Sequence, residues 1–154
     1  MENAIRIVGA VPLAGIMVGN SILDVQRKEI YLGPTVMTGV IGILVKFFLT
    51  YREISGSGMT LSSILGVMVI PLLPGICTAV ISIITAGAVG LGDAIVLLML
   101  GAWSDGERML MAFLFTGMLL SAYSGFLFIK NRMKEISAVP FIMAGYLASV
   151  LITM

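Results

Sequence analysis

Residues 60–85 read TLSSILGVMVIPLLPGICTAVISIIT, and no side chain in this run is charged. A helix rises about 1.5 Å per residue, so about 20 apolar residues cross the hydrocarbon core of a bilayer. The run is therefore long enough for one crossing. Pro71 and Pro74 each remove a helical hydrogen-bond donor, which predicts a bend or a break near the middle. We interpret the run either as one kinked span or as a half-helix with a re-entrant piece.

The rest of the chain has the same apolar character. Its 154 residues are 59% hydrophobic and 11% charged, and the mean hydropathy is +1.12. Because an average soluble domain is about 25% charged, this composition predicts a single integral membrane domain over residues 1–154, in contact with the lipid bilayer. The formal net charge of +1 offers no basic surface of the kind that binds nucleic acid.

Further apolar runs indicate how often the chain crosses. They cover residues 4–24, 31–50, 94–103, 109–129 and 137–153. The first is predicted to be a retained span, since no small-residue cleavage site follows it. We expect an all-α, polytopic transmembrane helical bundle of about six spans. The count is four to seven if the short fourth run or the proline-containing run is not a full crossing. Residues 55–58, which are glycine and serine, predict a flexible loop.

Basic residues set the predicted orientation. They are more frequent after the first and fifth spans than on the opposite side: Arg27, Lys28, Lys130, Arg132 and Lys134 against Arg6, Arg52 and Arg108. Cytoplasmic loops carry an excess of lysine and arginine. The first group is therefore predicted to be cytoplasmic, and both termini are predicted to lie outside.

The residues that are missing limit the chemistry. The chain has no histidine and one cysteine, Cys77. This argues against a zinc site, an internal disulfide and a Ser-His or Cys-His nucleophile pair. Cys77 is predicted to be a small buried apolar residue. Lys46 is predicted to snorkel to the interface, and Trp103 to anchor there.

Two carboxylates lie directly against long apolar segments, namely Asp24 and Asp93. Two segments long enough to cross lie between them, so both are predicted to be on the same membrane face. One interpretation is that each is a helix-end charge facing headgroups. The other is that they meet in a partly desolvated site and share a proton, as the two aspartates of an aspartic protease do. A serine paired with Lys46 is a further hydrolytic alternative.

The sequence around both aspartates resembles the prepilin peptidases (type IV leader peptidases), which are membrane aspartic proteases of the GxGD class. The stretch 90–103 reads GLGDAIVLLMLGAW and is similar to the family's GxGDxKLLAxxGAW stretch. Residues 21–30, SILDVQRKEI, are similar to its D-x-R-x-x-x-I-P-N segment, and residues 134–141, KEISAVPF, to its I-P-F-x-P-F stretch. The resemblance runs from about residue 20 to the end of the chain.

The resemblance implies a membrane-embedded aspartic endopeptidase with Asp24 and Asp93 as its catalytic residues. It implies cleavage of the short basic leader of prepilin-like or pseudopilin-like proteins, at the cytoplasmic face of the inner (plasma) membrane, in type IV pilus assembly or protein secretion. A compact form without the family's N-terminal cysteine-containing region is expected, with no cofactor and no metal. Gly90 and Gly92 are expected to shape the site, because a residue without a Cβ lets a substrate backbone approach closely.

The sequence also departs from the family pattern. Ile95 stands where lysine is usual, Gln26 where arginine is frequent, Tyr31-Leu32 replace Pro-Asn, and Ser137 replaces a proline. A lysine at residue 95 would add positive charge near the two aspartates. The alternative function is a non-catalytic membrane assembly subunit or a small transporter on the same scaffold.

Overall fold

In the computed structural model, residues 2–57, 61–86, 90–130 and 136–152 are described. They form α-helices and one 3₁₀ turn, with no strand in these ranges. In chain order the elements are α1 (Glu2–Arg27), α2 (Leu32–Ser57), α3 (Leu61–Val69), a 3₁₀ turn (Ile70–Leu72), α4 (Leu73–Ile84), α5 (Leu91–Trp103), α6 (Gly106–Ile129) and α7 (Val139–Ile152). The predicted all-α class is confirmed.

Three stretches within the described residues are long and apolar enough to cross a membrane: Leu32–Arg52, Ser62–Ile84 and Gly106–Ile129. Helix α1, with 26 residues, covers the first predicted span. Helices α5 and α7 are apolar but shorter. With 13 residues, α5 rises about 20 Å, which is less than the ~30 Å hydrocarbon core. Each predicted segment corresponds to a helix, and the total of six crossings stays a prediction.

Two predicted boundaries are wrong. Helix α1 continues to Arg27, three residues beyond the predicted span of residues 4–24, so Asp24 lies within its last turn. Helix α2 continues to Ser57, so residues 55–57 of the predicted flexible loop are helical. Polar residues can extend a helix beyond the apolar part, because the backbone hydrogen bonds continue at no extra nucleation cost.

The two prolines interrupt the third apolar run, as predicted. The 3₁₀ turn contains Pro71, and Pro74 lies in the first turn of α4. Proline is tolerated in a first turn, where its missing N–H would have no helical partner. By length and composition, α3, the turn and α4 together qualify as one candidate span at Ser62–Ile84, and the choice between a kinked span and a half-helix with a re-entrant piece stays a prediction. A Cβ on Gly101 would collide with the Pro71 carbonyl oxygen, so α5 lies directly against the kink.

Helix α5 is the centre of the bundle. Its residues Val96, Met99 and Leu100 are at most 1% exposed, and they form a core with side chains from α1, α6 and α7. Helix α5 also packs against α2 and α4, and α6 packs against α7. Many large apolar side chains on the outer faces of α2, α4 and α6 are exposed. An apolar exterior of this extent suits a bilayer rather than water.

Trp103 fastens α5 to α2. Its indole Nε1 donates a hydrogen bond of 2.9 Å to the Thr38 carbonyl. The ring occupies space that Gly42 leaves open, since a Cβ there would come within 2.6 Å of the indole nitrogen. The side chain predicted to anchor at the interface therefore uses its N–H inside the bundle.

Lys46 and Cys77 also differ from their predicted environments. The Lys46 ammonium donates to the carbonyls of Gly101 (3.1 Å) and Ser104 (2.6 Å). It therefore satisfies acceptors at the end of α5, a favourable place for a cation, instead of snorkelling to headgroups. Cys77 is exposed, which contradicts the predicted burial. In a membrane protein an apolar position can face lipid as readily as the core.

Candidate functional site

Asp24 is positioned by the last turn of α1 and faces the bundle. It is 8% exposed, and its Oδ2 accepts a hydrogen bond of 3.1 Å from the Val139 backbone N–H. Val139 is the first residue of α7. The N-terminal N–H groups of a helix have no partner within the helix and lie at the positive end of its dipole. A carboxylate is a favourable partner for them, so Asp24 is held by α7 rather than facing headgroups.

Asp93 lies in the first turn of α5, after the extended N-cap residue Gly90. It follows two of the candidate spans and belongs to none of the three. Its Oδ2 lies so close to Gly90 that a Cβ on that glycine would be 3.2 Å away. The side chain is half-buried, and no described residue donates a hydrogen bond to it. Asp93 thus has oxygens available for a further partner.

The structure brings Asp24 and Asp93 into one electrostatic environment. Burial, together with the smaller effect of the negative charge of Asp24, raises the pKa of Asp93 from 3.8 to about 6, although the positive charge of Lys28 acts to lower it. A carboxyl group with a pKa near 6 exchanges its proton near physiological pH. Asp93 can therefore give and take a proton in this pH range.

Glycine lets the first turn of α5 approach the α1–α2 connection. A Cβ on Gly92 would meet the Ile30 side chain at 3.5 Å, so Ile30 lies directly over Gly92. Ile30 is half-buried and packs against the core. The contact sets the spacing between the connection that carries Ile30 and the first turn of α5, and the site-shaping role of Gly92 stays a prediction. A Cβ on Gly90 would lie 3.2 Å from Oδ2 of Asp93.

Asn20 holds the α1–α2 connection in place, and the sequence analysis did not identify it. It is fully buried. Its Oδ1 accepts from the Tyr31 N–H at 2.8 Å, and its Nδ2 donates to Thr35 Oγ1 at 2.7 Å. The Thr35 hydroxyl in turn donates to the Tyr31 carbonyl at 2.6 Å. A buried amide with its donor and acceptor both used fixes the connection that carries Ile30. Asn20 could have been identified from the sequence, because a polar side chain within a predicted membrane span needs a hydrogen-bond partner.

Lys28 is a second residue that the sequence analysis did not assign to the site. Its ammonium donates a hydrogen bond of 2.6 Å to Ser137 Oγ, and the Ser137 hydroxyl donates one of 3.0 Å to the Asp24 carbonyl. The sequence signal available was a basic residue in the polar segment directly after Asp24. Ser137, one of the departures from the family pattern, is therefore part of the site.

The other departures lie around this arrangement. Ile95 is half-buried in α5, while Gln26 and Tyr31 are exposed. A groove of about 340 Å³ opens beside the site, between α1, α6 and α7. Its lining is mostly apolar, with Lys28 and Ser137 at its polar end: Val25, Lys28, Tyr123, Leu127, Ile136, Ser137, Pro140 and Phe141.

A comparison of the whole chain with protein-family models, with curated proteins and with solved structures finds no match. Membership of the prepilin peptidase family therefore stays a prediction from the motifs around Asp24 and Asp93. The chemical capacity of the site rests on two carboxyl groups: Asp24, which accepts a hydrogen bond at a helix N-terminus, and Asp93, whose pKa burial and the charge of Asp24 raise.

Proposed function

We propose that this protein is a membrane aspartic endopeptidase of the GxGD class. The observation that carries the proposal is the electrostatic coupling of Asp93 to Asp24, with burial raising the pKa of Asp93 to about 6. Two carboxyl groups that divide one proton between them are the arrangement that activates water in aspartic proteases. If Asp24 served only to cap the N-terminus of α7, the second carboxyl group, that of Asp93, would have no role.

In the proposed reaction Asp24 is the base and Asp93 the acid. The Val139 N–H stabilises the negative charge of Asp24, which takes a proton from water as the water oxygen bonds to the scissile carbonyl carbon. Asp93 gives its proton to the carbonyl oxygen, which yields a tetrahedral diol. When the C–N bond breaks, Asp24 passes its proton to the leaving nitrogen, and a diol hydroxyl returns a proton to Asp93.

The proposed substrates are prepilin-like or pseudopilin-like membrane proteins, which lose a short basic leader before their hydrophobic N-terminal helix. The groove beside the site supports a substrate of this kind, because its lining is apolar and it reaches Ser137, which binds the Asp24 carbonyl. The proposed location is the inner (plasma) membrane with the pair toward the cytoplasm. This orientation follows from the basic loop residues and from the parity of spans between the two aspartates.

Co-expression tests the proposal. A tagged prepilin-like protein is expressed with the wild-type chain, Asp24→Asn or Asp93→Asn, and leader removal is followed by gel shift. Asp105→Asn is the matched control, because Asp105 precedes α6 beyond the opposite end of α5 from Asp93. The wild type and the control should cut, and the two site variants should not. If the wild type cuts none of several well-expressed prepilins, the non-catalytic subunit or transporter becomes the better account.

A further inference from the structure

Lys28 has an unusual backbone for its residue type. It follows the last residue of α1, its N–H donates a hydrogen bond of 3.2 Å to the Asp24 carbonyl, and its φ is 58°. This left-handed position after a helix is usually taken by glycine, because a Cβ there is sterically unfavourable. A lysine at such a position suggests a use for its side chain.

The ammonium group of Lys28 is held in a defined place. Ser137 Oγ accepts a hydrogen bond from it at 2.6 Å, and the Ser137 hydroxyl donates a hydrogen bond of 3.0 Å to the Asp24 carbonyl. The two bonds tie the end of α1 to the residues just before α7. The side chain of Lys28 is exposed, and the bond to Ser137 restricts the position of its ammonium group.

Few charged groups face Asp93. Asp24 and Lys28, both from the end of α1, act on it electrostatically. Helix α5 has no other charged residue, and neither α4 nor α7 has any. In α2, Lys46 bonds to the opposite end of α5, and Glu107 and Arg108 begin α6 just after that end. Among the described residues, Lys28 is thus the cation that acts on Asp93.

We propose that Lys28 is a positioning residue of the aspartate pair: Ser137 holds its ammonium group where the positive charge stabilises the ionised form of Asp93. The effect on catalysis rests on the proposed peptidase function, whereas the electrostatic effect on Asp93 does not. Loss of the charge makes Asp93 hold its proton to a higher pH. Loss of the Ser137 hydroxyl keeps the positive charge of Lys28 but removes one hydrogen bond that fixes its position. The expected change is therefore smaller and in the same direction.

The test compares Lys28→Met, Lys28→Gly and Ser137→Ala with the wild type in detergent. Glycine accepts the left-handed backbone, so Lys28→Gly folds even if the methionine variant does not. Arg27→Gln is the matched control, because it removes an exposed cation from the preceding position. Each protein is made with and without Asp93→Asn, and thermal unfolding is measured from pH 4 to 9 by the fluorescence of Trp103, the only tryptophan of the chain. The difference within each pair isolates the titration of Asp93.

We expect the titration of Asp93 to move up by roughly half a pH unit in both Lys28 variants, an effect of the size that an exposed charge produces, and to stay in place in Arg27→Gln. The pH profile of leader cleavage should shift equally. An unchanged titration in both Lys28 variants overturns the proposal, whatever the cleavage assay gives. If no prepilin is cut but the titration moves, the proposed function fails and the role of Lys28 stands.

Discussion

The Asp24 carboxylate of α1 accepts a hydrogen bond of 3.1 Å from the Val139 N–H, the first residue of α7. One of the two candidate catalytic groups therefore also joins the beginning and the end of the described chain. Since the bond needs only an acceptor, whereas the proposed chemistry needs a carboxylate, substitutions can separate the two roles.

Asp24→Asn and Asp24→Ala should differ in stability. Asparagine keeps an oxygen for the Val139 N–H, and helix N-termini accept asparagine as well as aspartate. Alanine leaves that buried N–H without a partner, which costs about 1–3 kcal/mol. Thermal unfolding in detergent checks this, and both variants should lack cleavage activity. Equal stabilities of the two variants would show that the hydrogen bond contributes nothing.

Asp93→Asn should raise the thermal stability at neutral pH. The pKa of Asp93 is raised to about 6 in the folded protein from an ordinary 3.8, so the folded state binds the proton more tightly than the unfolded state. Its ionised form therefore destabilises the fold at high pH, and this penalty disappears as the pH falls from about 6 to about 4. The advantage of the variant should be largest above pH 6 and vanish near pH 4. A variant that is less stable at pH 8 would contradict the burial of an ionisable Asp93.

Cleavage should become slower as the pH rises above about 6. The proposed mechanism needs the proton on Asp93, whose pKa burial and Asp24 raise to about that value. Beyond it, the protonated fraction falls about tenfold per pH unit, and the rate of a step that depends on it falls in parallel. Initial rates from pH 5 to 8.5 on one substrate measure this. A rate that climbs steadily to pH 8.5 would require another acid.

Two glycines of α5 should respond differently to alanine. A Cβ on Gly92 would make ordinary contact with Ile30 at 3.5 Å, while one on Gly101 would collide with the Pro71 carbonyl. Gly92→Ala should therefore change stability by less than about 1 kcal/mol, since alanine favours a helix. Gly101→Ala should lose about 1–3 kcal/mol or more, because backbone would have to move. Unfolding midpoints of the two variants give the comparison, and similar midpoints would contradict this packing.

Asn20→Leu should destabilise the protein and impair the site together. It removes the acceptor for the Tyr31 N–H and the donor to Thr35 Oγ1, at a cost of about 1–3 kcal/mol for the stranded partners. The connection that holds Ile30 over Gly92 would then move. Amide hydrogen exchange at residues 28–33 should accelerate. Unchanged exchange there would show that other contacts hold the connection.

The elements of the fold were largely readable from the sequence, because apolar runs and prolines carry strong local signals. The interruption of the helix at Pro71 is an example. The environment of individual side chains could not be predicted from the sequence. Cys77 is exposed, and in a bilayer both faces of a helix can be apolar. Hydropathy alone therefore does not distinguish a side chain that faces lipid from one that is buried in the core of the bundle.

The same limit applies to the candidate site. The motifs predicted that Asp24 and Asp93 belong together, and the two predicted crossings between them predict that they lie on one membrane face. Residue 95, where the family pattern has a lysine, is isoleucine in this chain. The positive charge that acts on Asp93 comes instead from Lys28, whose ammonium group bonds to Ser137 after a left-handed turn. Contacts between segments more than a hundred residues apart depend on tertiary packing, which no local pattern encodes.

The most direct test of the central claim is leader removal by the purified protein, where no host peptidase is present. The wild type, Asp24→Asn, Asp93→Asn and Asp105→Asn are each incubated in vesicles with a purified prepilin-like substrate, and mass spectrometry determines the new N-terminus. The account predicts one cleavage before the hydrophobic helix by the wild type and Asp105→Asn, with losses of about 10²-fold or more in the two site variants. Cleavage by either site variant at the wild-type rate would contradict it.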